Sequence, residues 1–118
     1  MSVTNITSNP FPMGILKPGS SYTTASVPIL TNITLSSTQL QFVRSFLVRA
    51  ATTNSGNIFV CNSVANPDTT AYLNVLDIIP PGGTSYASSG ALNTIDLSQI
   101  WIGASNNSDF AIAEAVWS

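Results

Sequence analysis

The sequence predicts a small all-β protein: a single antiparallel β-sandwich or small β-barrel domain with an extended N-terminal arm. Its 118 residues are enough for one ordinary domain. Several short segments alternate with the two-residue period of a strand. Clusters of Gly, Pro, Asn, Asp and Ser separate them at intervals of roughly ten residues, as in sandwiches and barrels. We expect the arm to span residues 1–22 and the β-domain residues 23–118.

The N-terminal arm combines backbone-breaking residues with an apolar cluster. Prolines and glycines between positions 10 and 19 exclude a regular helix. The apolar residues should be covered by protein, because they have no reason to stay in water. The arm either packs on its own domain or reaches a neighbouring subunit or a partner. Its candidate interface residues are Phe11, Met13, Ile15 and Leu16.

The sequence of the first half of the β-domain predicts three strands. Residues 27–35 place apolar or β-branched side chains at alternate positions, and Pro28 puts this strand at an edge or at its own start. Residues 40–52 also suit helical spacing, but their Phe and Val content favours a strand. Because residues 54–56, Asn-Ser-Gly, are typical of a turn, we expect residues 57–62 to return as the second strand of a hairpin.

The second half of the chain predicts further strands separated by turns. Residues 80–83, Pro-Pro-Gly-Gly, interrupt any helix or central strand, and we expect a loop after them. The last segment puts Ile112 and Glu114 on one face and alanines on the other, although its alanines also suit a short helix. The strands are expected at residues 72–79, 92–97, 100–104 and 110–117.

Charged residues make up only 7% of the chain, against about 25% in ordinary domains. The net charge is −2 and no basic patch is present, which argues against nucleic acid and against a polybasic membrane anchor. Neither a spanning apolar segment nor a signal peptide is recognisable, so we expect synthesis and use from the cytosol. So few charges give little repulsion between copies, which favours self-association.

Residues suited to catalysis are scarce. The chain has no His, which removes the commonest general base and zinc ligand. Its five acidic residues are scattered, so nothing in the sequence pairs two carboxylates for glycoside hydrolysis. The single Cys61 is expected to be a small buried apolar residue. We therefore expect no enzyme activity, no cofactor and no metal site.

Three further residues are candidates for contacts with other subunits. Arg44 and Arg49 lie in an apolar run, where each guanidinium either reaches a carboxylate, in this or another subunit, or simply faces outward. Trp117 is penultimate and open to an interface position. Aromatic residues displayed on one sheet face would suit a carbohydrate-binding module. Trp101, between two isoleucines, is expected in the core instead.

The order of four segments resembles a known class of proteins. These segments are FVRSFLVRAA, NSGNIFV, LDIIPPGG and LSQIWIGASNNSDFAIAEAV, within residues 42–117. They are similar to the strand, Pro-Gly loop and closing hairpin segments of small tailed-bacteriophage virion structural proteins of the capsid cement, decoration or head-fibre type. The N-terminal arm lies outside this resemblance.

The resemblance implies a homo-oligomer, commonly a trimer, that binds the major capsid protein on the outer surface of the assembled head and stabilises it. Such a protein would be made in the host cytoplasm and located in the virion. Repetition of one interface on a symmetric lattice would raise avidity. Two alternatives remain: a tail fibre, baseplate or receptor-binding component, and a carbohydrate-binding module.

Overall fold

The computed structural model describes residues 10–18, 27–32, 41–62, 74–90, 92–106 and 108–116. It confirms the all-β prediction, and within these ranges no helix is long and apolar enough to span a membrane. A short 3-10 helix, Leu97–Gln99, is capped by the side chain of Asp96. The strands are β1 (Pro10–Leu16), β2 (Val27–Pro28), β3 (Phe42–Val43), β4 (Ser45–Ala50), β5 (Ile58–Cys61), β6 (Val75–Ile79), β7 (Thr84–Ser88), β8 (Ile95–Asp96), β9 (Trp101–Ala104) and β10 (Ala111–Val116).

Two four-stranded antiparallel sheets form the sandwich. Sheet A has the order β1-β10-β4-β7, and sheet B has the order β2-β9-β5-β6. A two-stranded ladder joins β3 to β8. Chain connections repeatedly pass from one sheet to the other, so strands that are neighbours in sequence are seldom neighbours in a sheet.

The core lies between the two sheets. Strand β10 contributes its three alternate alanines, and β4 contributes Phe46 and Val48 next to them. Sheet B supplies larger aliphatic residues, including Ile58 and Ile102. The predicted alternation of the last strand is confirmed, because all three of its alanines are buried while Ile112 on the opposite face is exposed. Strand β5 is buried along its whole length, which also confirms the burial of Cys61.

The predicted hairpin between residues 40–52 and 57–62 is wrong. Strand β4 lies in sheet A between β10 and β7, whereas β5 lies in sheet B between β9 and β6. A strand that is apolar on both faces is best placed at the centre of a sheet. The Asn-Ser-Gly segment therefore leads the chain across the sandwich. The same correction applies to the expected closing hairpin, because β9 belongs to sheet B and β10 to sheet A.

Two other boundaries differ from expectation. The strand predicted at residues 27–35 ends at Pro28, where a turn begins with the Thr31 N–H donating to the Pro28 carbonyl at 3.0 Å; residues 33–35 lie outside the described ranges. The loop expected after residues 80–83 is strand β7. Residues 80–83 themselves form a turn, with the Gly83 N–H donating to the Pro80 carbonyl at 2.8 Å and Gly82 at a φ of +78°.

Part of the N-terminal arm belongs to the sandwich. Residues 10–16 form edge strand β1, which pairs with β10 and has an irregularity between Pro12 and Gly14. The irregularity places both Met13 and Leu16 in the core with no exposed surface. The side chain of Asn32 fastens β1 from outside by donating to the Ile15 carbonyl at 2.8 Å. Residues 1–9 and 19–22 of the arm lie outside the described part of the chain.

Candidate association surface

The outer face of sheet A brings together apolar side chains from all four of its strands. In one row across the sheet, Ile15 of β1 lies opposite Ile112 of β10. In the next row, Leu47 of β4 lies opposite Tyr86 of β7. We call these four residues, with Arg49 and Glu114 between them, the sheet A face.

The apolar side chains of this face are largely accessible. The exposed fraction is 60% for Ile15, 43% for Ile112 and 64% for Tyr86, while Leu47 is half-buried. Strand alternation explains this exposure, because these residues point away from the alanines and Phe46 on the inner face. Neighbouring exposed apolar residues with polar groups among them are typical of a surface that binds another protein.

One ion pair crosses the sheet A face. The Arg49 guanidinium lies 3.8 Å from a carboxylate oxygen of Glu114, and the two side chains remain 56% and 39% exposed. Arg49 is opposite Ile112, so Glu114 is its diagonal neighbour on β10. The predicted carboxylate partner of Arg49 is thus within the same chain. An exposed pair of this kind adds little to folding stability, which leaves both charges available for intermolecular contacts.

The structure separates the predicted interface residues. Ile15 and Arg49 lie on the sheet A face. Met13 and Leu16 are instead in the core of their own chain, so this part of the arm packs on its own domain. The side chain of Phe11 and the whole of Trp117 lie outside what the structure describes.

Arg44 lies apart from Arg49, at the junction between β3 and β4, and is half-buried. Its backbone N–H donates to the Val116 carbonyl at 3.0 Å, and its carbonyl accepts from the Ser89 N–H at 2.8 Å. These bonds extend the pairing of β4 with its neighbours. The backbone of Arg44 therefore joins three segments at one end of sheet A.

Aromatic residues are not gathered on one face among the described residues. Tyr86 is on the outer face of sheet A, whereas half-buried Trp101 is in sheet B, opposite Pro28 and Cys61. Tyr22 and Tyr72 lie outside the described ranges. Among the described side chains of sheet A, Tyr86 is the accessible aromatic ring, whereas a carbohydrate-binding module would display several such rings on one face.

The described carboxylates lie in separate elements. Asp77 is in the edge strand β6, Asp109 in the connection before β10, and Glu114 on the sheet A face. Asp96 accepts a 2.6 Å hydrogen bond from the Ser98 hydroxyl, which holds the pKa of this carboxyl below its ordinary value. Within the described ranges, no group of three or more Cys, Asp or Glu residues is placed to hold a metal ion.

Tyr86, Ile112 and Glu114 of the sheet A face are not among the interface residues predicted from the sequence. Tyr86 lies in β7, a segment for which the sequence predicts a loop. The pairing of Ile112 with Ile15 depends on the long-range contact between β1 and β10. The signal for Glu114 and Ile112 was present, since the alternation of the last strand places both on the face opposite the alanines.

A scan against protein-family models found no matching family. Comparisons with curated proteins and with solved structures likewise found no match.

Proposed function

We propose that this chain is a non-enzymatic virion structural protein, a capsid cement or decoration protein that associates with copies of itself and binds the outer surface of an assembled phage head. The sheet A face is the observation that supports association. The assignment to a virion rests on the segment resemblance within residues 42–117.

The sheet A face has the composition of an adhesive surface. Ile15 and Ile112 form an exposed cross-strand pair, and Tyr86 adds an accessible aromatic ring. Burial of apolar area drives association, and Tyr contributes contact area at a low entropic cost. The adjacent Arg49 and Glu114 provide one charge of each sign, so this face can form ion pairs with charged groups of a neighbouring copy.

The rest of the chain is consistent with adhesion and offers little for chemistry. Charged side chains are sparse, so copies repel each other weakly. No His is present in the sequence to act as a general base near neutral pH. A protein that stabilises a shell needs repeated weak contacts, because the symmetric lattice multiplies them.

Self-association through the sheet A face is tested by the double variant Ile15→Ser, Ile112→Ser. We expect the native mass, measured by light scattering after gel filtration, to fall from a trimer to a monomer. The control is Leu92→Ser, which removes a side chain that is 64% exposed and lies outside sheet A. Equal masses for the double variant and the control would contradict a role for this face in association.

The location of the protein is tested by immunogold labelling of purified tailed-phage particles that carry the gene for this chain. Labelling distributed over the head surface is expected. Labelling at the tail or baseplate would instead favour the fibre or receptor-binding alternative. Particles that lack the protein would contradict a virion role.

A further inference from the structure

The outer edges of the two sheets differ in how well they are protected against pairing with another strand. Strand β1 has two prolines and an irregularity, and β2 is only two residues long and contains Pro28. Strand β6 has the exposed Asp77 and an irregular register with β5. Strand β7 has no charge, no proline and an unbroken register with β4. Since natural proteins usually protect such edges, β7 is, among the sheet edges formed by described residues, the one suited to receive a strand.

The backbone of β7 presents hydrogen-bonding groups away from the sheet. The Ala50 N–H donates to the Gly83 carbonyl, and the Ser89 N–H donates to the Arg44 carbonyl. In an antiparallel ladder, bonded residues alternate, so residues 85 and 87 also face β4. Thr84, Tyr86 and Ser88 therefore direct their N–H and carbonyl groups outward.

A groove lies beside β7, between the edges of the two sheets. Its volume is about 420 Å³, within the range of protein binding sites. Core residues Phe46, Val60 and Ile100 line its floor, while Leu76, which is 55% exposed, lines it from β6. Asp77 is the charged residue among the described residues that line the groove. A strand added next to β7 would direct alternate side chains into this groove and the others outward beside Tyr86.

These features define the incoming strand. It needs one apolar side chain for the groove and another for the outer face, and it should carry no acidic residue near Asp77. Strand β7 of a second copy is unsuitable, because its inward residues Ser85 and Ala87 are too small to fill the groove. Residues 1–9, MSVTNITSN, have no charged side chain, no proline and no glycine. Val3 and Ile6 are three positions apart, so in an extended segment they point to opposite faces.

We propose that the β7 edge and its groove bind residues 1–9 of a second copy of this chain. Strand β1 begins at Pro10 on the opposite edge of sheet A, separated from β7 by two strands or about 14 Å. A segment that leaves Pro10 would have to cross the sheet and reverse direction to reach β7 of its own copy. Exchange between copies needs no such reversal, and a head-to-tail contact forms a closed ring, such as a trimer, when the rotation that relates the copies closes. This inference rests on the self-association proposed above and adds a second contact between copies, distinct from the sheet A face.

Intermolecular paramagnetic broadening tests the exchange on the full chain. One preparation is ¹⁵N-labelled wild type; the other is unlabelled Ser2→Cys with a nitroxide on that cysteine, since native Cys61 is buried. In an equal mixture we expect broadening of the ¹⁵N amides of residues 84–88 and of groove residue Ile95. A tenfold excess of the peptide MSVTNITSN should restore these signals.

Two variants of the ¹⁵N-labelled chain test the edge itself. Tyr86→Pro removes an outward N–H, while the matched control Tyr86→Val keeps it; both lack the ring. We expect Tyr86→Pro to weaken peptide binding by about tenfold or more relative to Tyr86→Val. Absence of intermolecular broadening at β7, or broadening only when both labels are on one copy, would overturn the proposal. Particle labelling is independent of this result, so failure of the exchange and failure of the virion role are distinguishable.

Discussion

The carboxylate of Asp109 accepts a 2.9 Å hydrogen bond from the backbone N–H of Gly56. A second bond of 2.9 Å comes from the Ser55 N–H, so one buried side chain holds two successive amides. Residues 51–57 take the chain from sheet A to sheet B, and residues 105–110 bring it back. Asp109 therefore fastens the two crossings to each other. Asn54 supports the same junction by exchanging hydrogen bonds with the backbone of Phe110.

Replacing Asp109 by Ala should destabilise the fold strongly. The side chain is only 1% exposed, so its loss leaves two amides without their acceptor. We expect the free energy of unfolding in urea to fall by about 2–4 kcal/mol. Asp109→Asn keeps one acceptor oxygen, so its free energy of unfolding should lie between those of the wild type and Asp109→Ala. The control Asp77→Ala, at an exposed position, should cost less than about 0.5 kcal/mol. Equal losses at both positions would contradict the fastening role of Asp109.

Substitution of Gly56 by Ala tests how closely the two crossings approach. A Cβ atom at this position would clash with the Ser105 hydroxyl and with the side-chain amide of Asn106. Ser105 cannot move without cost, because its hydroxyl accepts a 2.9 Å hydrogen bond from the Asn57 N–H. We expect a loss of about 1–3 kcal/mol in urea unfolding.

The comparison for Gly56→Ala is Gly90→Ala. Gly90 has a φ of +81°, but a Cβ there would meet no atom within 4 Å. Its cost is expected to be backbone strain alone, about 1–2 kcal/mol. Gly56→Ala should cost less in a Ser105→Gly background than in the wild type, whereas Gly90→Ala should cost the same in both backgrounds. An equal cost of Gly56→Ala in the two backgrounds would mean that contact with Ser105 is not the cause of the loss.

Asp96 should make stability depend on acid pH. The Ser98 hydroxyl lowers the pKa of this carboxyl; partial burial opposes the shift, and the Ser98 N–H and the Gln41 amide add to the lowering. Because the folded pKa is below the ordinary value of 3.8, the folded state binds this proton less readily than the unfolded state. The resulting stabilisation is present above pH 3.8 and is lost as pH falls through the folded pKa.

The variant Asp96→Asn should lack this stabilisation. We expect the wild type to exceed Asp96→Asn in urea midpoint at pH 6, with the difference shrinking as pH falls below 3.8. The variant Asp77→Asn is the control for general effects of removing one negative charge. A difference between wild type and Asp96→Asn that grows on acidification would contradict the direction of the pKa shift.

Local sequence patterns predicted which face of a strand is buried better than they predicted which strands pair with each other. The alternation of alanines in residues 110–117 identified the buried side of β10, because burial of one face selects the residue types along a strand. Residues 84–88, Thr-Ser-Tyr-Ala-Ser, have no apolar periodicity, and their strand conformation comes from pairing with β4. The turn residues 54–56 suit a hairpin or a crossing equally well, and only the position of Asp109 distinguishes the two.

The candidate site was predictable in part for the same reason. Ile15 and Arg49 were selected from the sequence because apolar clusters and long basic side chains are recognisable locally. Ile112 and Glu114 become their neighbours only through the pairing of β10 with β1 and β4. The register between strands that are distant in sequence cannot be predicted from a short sequence segment. The alternation around Met13 and Leu16 was also hidden, since an irregularity in β1 shifts which residues face the core.

Leu16 and Ile15 provide a matched test of whether β1 is an integral strand of the sandwich. They are adjacent in sequence, but Leu16 is fully buried and Ile15 is 60% exposed. Leu16→Ala removes core volume, so we expect the free energy of unfolding to fall by about 2–5 kcal/mol. Ile15→Ala should cost less than about 1 kcal/mol and should instead weaken self-association, because Ile15 belongs to the sheet A face. Urea unfolding and light scattering on both variants separate these effects. Similar small losses of stability for the two variants would mean that β1 is not packed in the core, and similar large losses would mean that Ile15 is not at the surface.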